Sequence, residues 1–88
     1  MPTYRIDFSN DAYRQFAKLP QEMKARVAPA IQALRDDPRP PGVMRLSGPS
    51  GAWRIRVGIY RVVYMIEDDH LVVLVVRIGP RRDVYRGL

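Results

Sequence analysis

Three arginines in one short stretch carry the most suggestive chemistry of this sequence. In Trp53-Arg54-Ile55-Arg56-Val57-Gly58-Ile59-Tyr60-Arg61, apolar and arginine residues alternate up to Gly58, and the pattern resumes after it. Alternation at period two predicts a half-buried strand. Gly58-Ile59 between two such runs suits a two-residue hairpin loop with glycine at its first central position. If Val57 and Tyr60 flank that loop, the cross-strand partners are Val57–Tyr60, Arg56–Arg61, Ile55–Val62, Arg54–Val63 and Trp53–Tyr64. One face then carries Trp53, Ile55, Val57, Tyr60, Val62 and Tyr64; the other gathers Arg54, Arg56 and Arg61. Like charges directly opposite each other destabilise a sheet. An anion such as a phosphate lying between Arg56 and Arg61 would reverse that sign, because guanidinium forks match phosphate oxygens.

Composition narrows the chemistry further. The sequence has no cysteine, which removes thiolate nucleophiles, disulfides and cysteine-based zinc sites. Its single histidine, His70, excludes a multi-histidine metal site, so neither a metal nor a cofactor is expected. Net charge is +6, and thirteen of the fifteen basic residues are arginine. Most of the excess lies beyond residue 44, where the acids Glu67, Asp68 and Asp69 are bunched in one turn. Such a surface favours a polyanion or an acidic protein partner. The apolar run Leu71–Val76 is too short to cross a bilayer, so no membrane association is expected. No signal-like segment opens the sequence, and a cytoplasmic location is expected.

The elements that must position these residues can be read in order. Thr3–Phe8 alternates and predicts a first strand. Ser9, Asn10 or Asp11 can cap a helix whose apolar positions are Ala12, Tyr13, Phe16, Ala17 and Leu19. Pro20 separates it from a second helix with the stripe Met23, Val27, Ala30, Ile31 and Leu34, in which Pro29 predicts a kink or a slip. A Pro- and Gly-rich loop covers residues 38–52, with Arg45-Leu46 a possible strand start. The hairpin follows, then a turn at Asp68-Asp69. Leu71–Ile78 is apolar on both faces over most of its length and predicts a central strand. Gly79-Pro80 ends it, leaving one loose turn or an extended arm. The expectation is a single α+β domain over residues 1–88. It comprises an N-terminal strand, a helical hairpin and a three-stranded antiparallel meander. Both helices pack on the Trp53, Ile55 and Val57 face of a four-stranded sheet, and the arginines occupy a shallow hollow on the other.

Four blocks in this order carry a resemblance: Leu46-Ser47-Gly48, the run Trp53–Tyr64, Val72–Gly79, and Arg81-Arg82-Asp83-Val84-Tyr85. Together they resemble the RelE/ParE superfamily of toxins from type II toxin–antitoxin pairs, over nearly the whole chain. The resemblance implies a RelE-like fold and a cognate acidic antitoxin. For the RelE branch it implies metal-independent cleavage of messenger RNA in the ribosomal A site. Taken position by position, Arg54, Arg56, Arg61, Arg81 and Tyr85 fall where that branch carries its functional residues, and Arg45 matches a basic residue often found upstream. The implied roles are catalytic for Arg56, Arg61, Arg81 and Tyr85, and RNA-binding for Arg45, Arg54 and Arg82. The alternative is the ParE branch, which keeps the fold and inhibits DNA gyrase without nuclease activity.

Three positions depart from the RelE pattern. Several members have lysine on the second strand, where this chain has Arg54 and Arg56. Many carry histidine in the slot of Pro80. The residues also have structural readings. Arg54 and Arg56 could be a solvated strand face, Arg81 could pair with Asp83, and Tyr85 could close a sheet edge. Trp53 is read as core, His70 as a surface turn residue, and Arg77 as packing or pairing beside Tyr60 outside the site.

Overall fold

The computed structural model describes residues 3–88. The elements are β1 (Arg5–Phe8), α1 (Asn10–Ala17), α2 (Gln21–Ala33), β2 (Met44–Arg45), β3 (Trp53–Val57), β4 (Tyr60–Glu67) and β5 (Val72–Gly79), followed by a short 3-10 helix, Arg82–Tyr85. The strands form one mixed sheet in the order β1-β5-β4-β3-β2. The expected α+β architecture is present, with one correction: the sheet has five strands rather than four. The added strand is the two-residue β2, which pairs Met44 with Arg54 and Arg45 with Trp53 at the edge.

Ser9 starts α1 because its Oγ accepts from the Ala12 amide at 3.1 Å, satisfying one of the orphan donors of the first turn. The same hydroxyl donates to the Val76 carbonyl at 2.9 Å. Gln15 Oε1 accepts from the Ile78 amide at 2.7 Å. These two bonds have a common cause. β1 pairs in parallel with β5 only from Arg5–Val72 to Phe8–Val75, so the β5 edge beyond Val75 lacks a strand partner. Side chains of α1 and its cap supply the hydrogen bonds that strand would have made.

α2 runs through Pro29 as one continuous helix. The helix is not interrupted there: proline frees the carbonyl four residues earlier, here Ala25, and both residues are exposed to water. On its inner face Val27 and Ile31, with the capping residue Leu34, are buried against the sheet. Each contributes about 1.5–3 kcal/mol from removal of its side chain from water.

The core under the helices includes Ile55, Val62, Tyr64, Val73, Val75 and Ile78, with Trp53, Val57 and Tyr60 packed at its margin. This is the face expected to be covered. Tyr64 is fully buried, and its hydroxyl donates to the Pro38 carbonyl at 2.7 Å. Burial pushes that hydroxyl's pKa upward. The loop after α2 is fastened a second time. Arg39 pairs with Asp68 at 2.9 Å and sits 5.0 Å from the Trp53 ring centre, while Tyr4 donates to Asp68 at 2.8 Å. Those two donors hold the Asp68 carboxyl below its usual range, Arg39 being the larger cause.

The sheet's other face is less open than expected. A second small core joins Ala52, Val63 and Val84, with Leu46, Met65, Val76, Tyr85 and Leu88 packed around it. Of the two expectations for the segment after β5, it is the turn that forms, and it is docked rather than loose. It docks because Gly79 offers no side chain: a Cβ there would collide with Cγ1 of Val84.

Candidate nucleic-acid interface

The hairpin that carries the arginines has the register read from its alternation. Val57–Tyr60, Arg56–Arg61, Ile55–Val62, Arg54–Val63 and Trp53–Tyr64 are the observed partners. Gly58 has φ +61° and Ile59 does not enter the left-handed region, which is the type II′ pattern for a two-residue loop. Arg54, Arg56 and Arg61 thus share the face away from the helices.

β5 continues the row. A bulge at Val76 of β5, opposite the step from Val63 to Tyr64 on β4, shifts the ladder by one residue, so that Arg61 faces Gly79 and Val63 faces Arg77. Without the bulge, the ladder that starts at Glu67–Val72 would set Val62 against Arg77 and drive an arginine into the core. With it, Arg77 lies on the arginine face. The expected place of Arg77 beside Tyr60 is therefore corrected: its Nη1 donates to the Val84 carbonyl at 3.2 Å and also to the Arg86 carbonyl.

Arg61 is half-buried. Its Nη1 donates to the Pro80 carbonyl at 3.2 Å, and its guanidinium carbon lies 5.9 Å from the Tyr85 ring centre, within cation–π range. Arg56, opposite it, is exposed. Arg54 meets the Met44 sulfur through one Nη, and its Nε is buried with no hydrogen-bond partner. Beside Arg54 a hollow of about 300 Å³ is lined by Met44, Leu46, Ser47, Tyr85 and Leu88. Its mixture of aromatic, apolar and hydroxyl groups could take a flat heterocycle.

The remaining expected site residues divide. Arg81 and Arg82 are exposed on the closing segment, and Arg81 lines a broader cleft of about 650 Å³ with Gln15, Arg77 and Arg86. Arg45 borders the smaller hollow, but its guanidinium carbon lies 5.9 Å from the Trp53 ring centre, on the helix side of the sheet. Paired with Trp53, Arg45 thus belongs to the face opposite Arg54, Arg56 and Arg61. His70 is a surface turn residue, 3.6 Å from Glu67.

Among the described residues the ion pairs are Arg5–Asp7, Arg14–Asp11, Arg39–Asp68 and His70–Glu67. No carboxylate therefore neutralises Arg54, Arg56, Arg61, Arg81 or Arg82, and the Arg81–Asp83 pair is not formed. Among the described residues no cluster of His, Cys, Asp or Glu is placed to hold a metal ion. Arg77 is the residue that sequence reasoning missed. Its signal was the parity conflict on β5: Val73, Val75 and Ile78 all point to the core, which period two cannot achieve without a bulge.

Helical hairpin, five-stranded sheet and basic open face together define a small α+β domain with an uncompensated arginine surface. A sequence model for the family described as "ParE toxin of type II toxin-antitoxin system, parDE" matches residues 6–85. This chain belongs to the RelE/ParE family of type II toxins. It is 33% identical over 84 residues to Toxin RelG of Mycobacterium tuberculosis, covering 94% of this chain and 97% of that protein. It is 30% identical over 86 residues to a RelE-like toxin protein of Escherichia coli, covering 93% and 90%. Its fold is similar to that in the crystal structure of the toxin–antitoxin complex RelBE2 from Mycobacterium tuberculosis. There the TM-score is 0.77 at 31% identity, over 90% of this chain and 99% of that one.

Proposed function

We propose that this protein is a ribosome-dependent mRNA endonuclease, held inactive by a cognate antitoxin. The observation that carries this reading is the arginine face: Arg54, Arg56 and Arg61 lie together beside Tyr85, with no carboxylate among the described residues compensating them. RNA can be cut when its 2′-hydroxyl attacks the adjacent phosphorus. The 2′-hydroxyl gives its proton to water as the 2′-oxygen–phosphorus bond forms, the phosphorus–5′-oxygen bond breaks, and the 5′-oxygen takes a proton from water as it leaves. Negative charge grows on the phosphoryl oxygens in the transition state, where fixed guanidinium groups stabilise it. Arg56 and Arg61 serve that task across the hairpin. Arg61 is steadied for it by Pro80 and Tyr85. Arg54 grips the backbone, Arg81 sits on the leaving-group side, and Arg82 adds phosphate contact. Tyr85 stacks on a base or orients the 2′-hydroxyl. The ribosome and its A-site mRNA are then the working partners. An acidic antitoxin segment would silence the face by supplying the missing carboxylates.

The test is cleavage of mRNA on programmed ribosomes by purified protein. Uncut message over a wide range of toxin concentration would remove the nuclease reading. A second reading has its own support. The matching family description is that of ParE, and neither lysine nor histidine stands among the arginines. On this reading the protein inhibits DNA gyrase without cutting nucleic acid, and a supercoiling assay decides it.

A further inference from the structure

We propose that Arg77 is a positioning residue: it holds in place the segment that carries Arg81, Arg82 and Tyr85, without itself meeting substrate. This rests on the reading of the arginine face given above.

Residues 80–86 are fixed to the sheet at three points. Arg61 holds the start through the Pro80 carbonyl. In the middle, Val84 is buried against Gly79, in space that a side chain would otherwise fill. Arg77 holds the end, its Nη1 donating to the carbonyls of both Val84 and Arg86. Its other nitrogen, Nη2, comes within 3.8 Å of where a Cβ would stand on Gly87.

The geometry suits the need. A four-residue 3-10 helix has too few internal bonds to stand alone, and its last carbonyls have no partner within it. A cationic donor is the favoured partner for such carbonyls. Arg77 is half-buried on β5, paired with Val63 of β4 on one side, while Ser9 and Gln15 bond the backbone of its neighbours Val76 and Ile78 on the other. Among the described residues it has no carboxylate partner that would draw it elsewhere. Arg54 and Arg56 lie on the hairpin and do not depend on this clamp. Loss of Arg77 therefore leaves substrate gripped and misplaces the groups on the closing segment, which lowers kcat more than it raises KM.

The experiment compares wild type, Arg77→Met, Arg77→Lys and Arg35→Met, the last removing one exposed positive charge from the loop after α2. Three quantities are measured. They are amide hydrogen exchange, steady-state cleavage of ribosome-bound mRNA, and growth arrest on expression. In Arg77→Met, exchange at the Val84, Arg86 and Leu88 amides should quicken by about tenfold or more while β4 amides stay protected. Its kcat should fall by about tenfold or more, with KM within about threefold of wild type. Arg77→Lys should recover part of both, and Arg35→Met should change neither. Unchanged exchange in Arg77→Met overturns the clamp. Quickened exchange with full kcat overturns the positioning role, and so does an effect matched by Arg35→Met. If wild type cuts no mRNA, the nuclease reading falls and growth arrest takes the place of kcat. Loss of arrest in Arg77→Met together with quickened exchange then supports the proposal, and retained arrest overturns it.

Discussion

Arg56 and Arg61 stand directly opposite each other across β3 and β4, and no carboxylate among the described residues offsets either one. Such a pair opposes folding and favours an anion. Arg56→Ala should therefore leave stability unchanged or raise it by about 0.2–1 kcal/mol, because a like-charge cross-strand contact disappears. Activity should move the other way, falling about 100-fold or more, as when one preorganised donor to a transition-state oxygen is removed. Urea denaturation and mRNA cleavage on the same preparations check both signs.

Electrostatic grip is separable from catalysis by salt. If Arg54 contacts an RNA phosphate, log affinity for a single-stranded RNA should fall less steeply with log salt in Arg54→Ala, by about 0.7 in slope. Fluorescence anisotropy across a salt series measures it. An unchanged slope would place Arg54 among structural residues, held by Met44.

Gly79→Ala should destabilise the protein by about 1–3 kcal/mol, since the new methyl meets Val84. Combined with Val84→Ala, the two effects should fail to add by about 0.5–3 kcal/mol. Additivity in a double-mutant cycle by urea denaturation would show that the closing segment does not press on β5.

Asp68 sets an acid-side dependence. Arg39 and Tyr4 hold its folded-state pKa below the unfolded value. The resulting stability is present above the usual carboxylate range and is lost as pH falls through the lowered pKa. Asp68→Asn should flatten that part of the acid limb. Urea midpoints from about pH 6 down to about pH 2.5 should converge for the two proteins at the acid end. Parallel curves would show that the contact contributes nothing to stability.

Tyr64→Phe should cost about 1 kcal/mol, because the Pro38 carbonyl loses its donor where Pro38 itself is buried. Thermal or urea denaturation reads it directly.

How much of this was legible depended on how local the cause was. The hairpin register followed from strict alternation and one glycine, and every pair expected from them is present. The start of α1 was legible for the same reason, with Ser9 one of three candidate caps, and Ser9 is the one that caps it. Contacts between distant segments were not. Arg45-Leu46 suggested a strand start, but the strand is Met44–Arg45, and only its pairing with Arg54 and Trp53 makes it one. The bulge in β5 was hidden in an apolar run whose residues suit either face, and so the position of Arg77 was hidden with it. Arg45 was placed with the RNA-binding residues by the resemblance alone, whereas its opposition to Trp53 puts it on the face opposite Arg54 and Arg56.

The parallel pairing of β1 with β5 bears on when this protein becomes itself. Arg5 and Val72 are neighbours in the sheet although most of the chain lies between them. Non-local pairing of this kind is slow, because the entropy of closing a long loop is lost before any contact rewards it. On a growing chain, β1 emerges early and has no strand beside it until β5 has been made. The surface formed by Arg81, Arg82 and Tyr85 comes later still, since it needs β5 to lie on. The nascent chain is thus unfinished, and harmless in any role that uses that surface, until β5 and the segment after it have both been made.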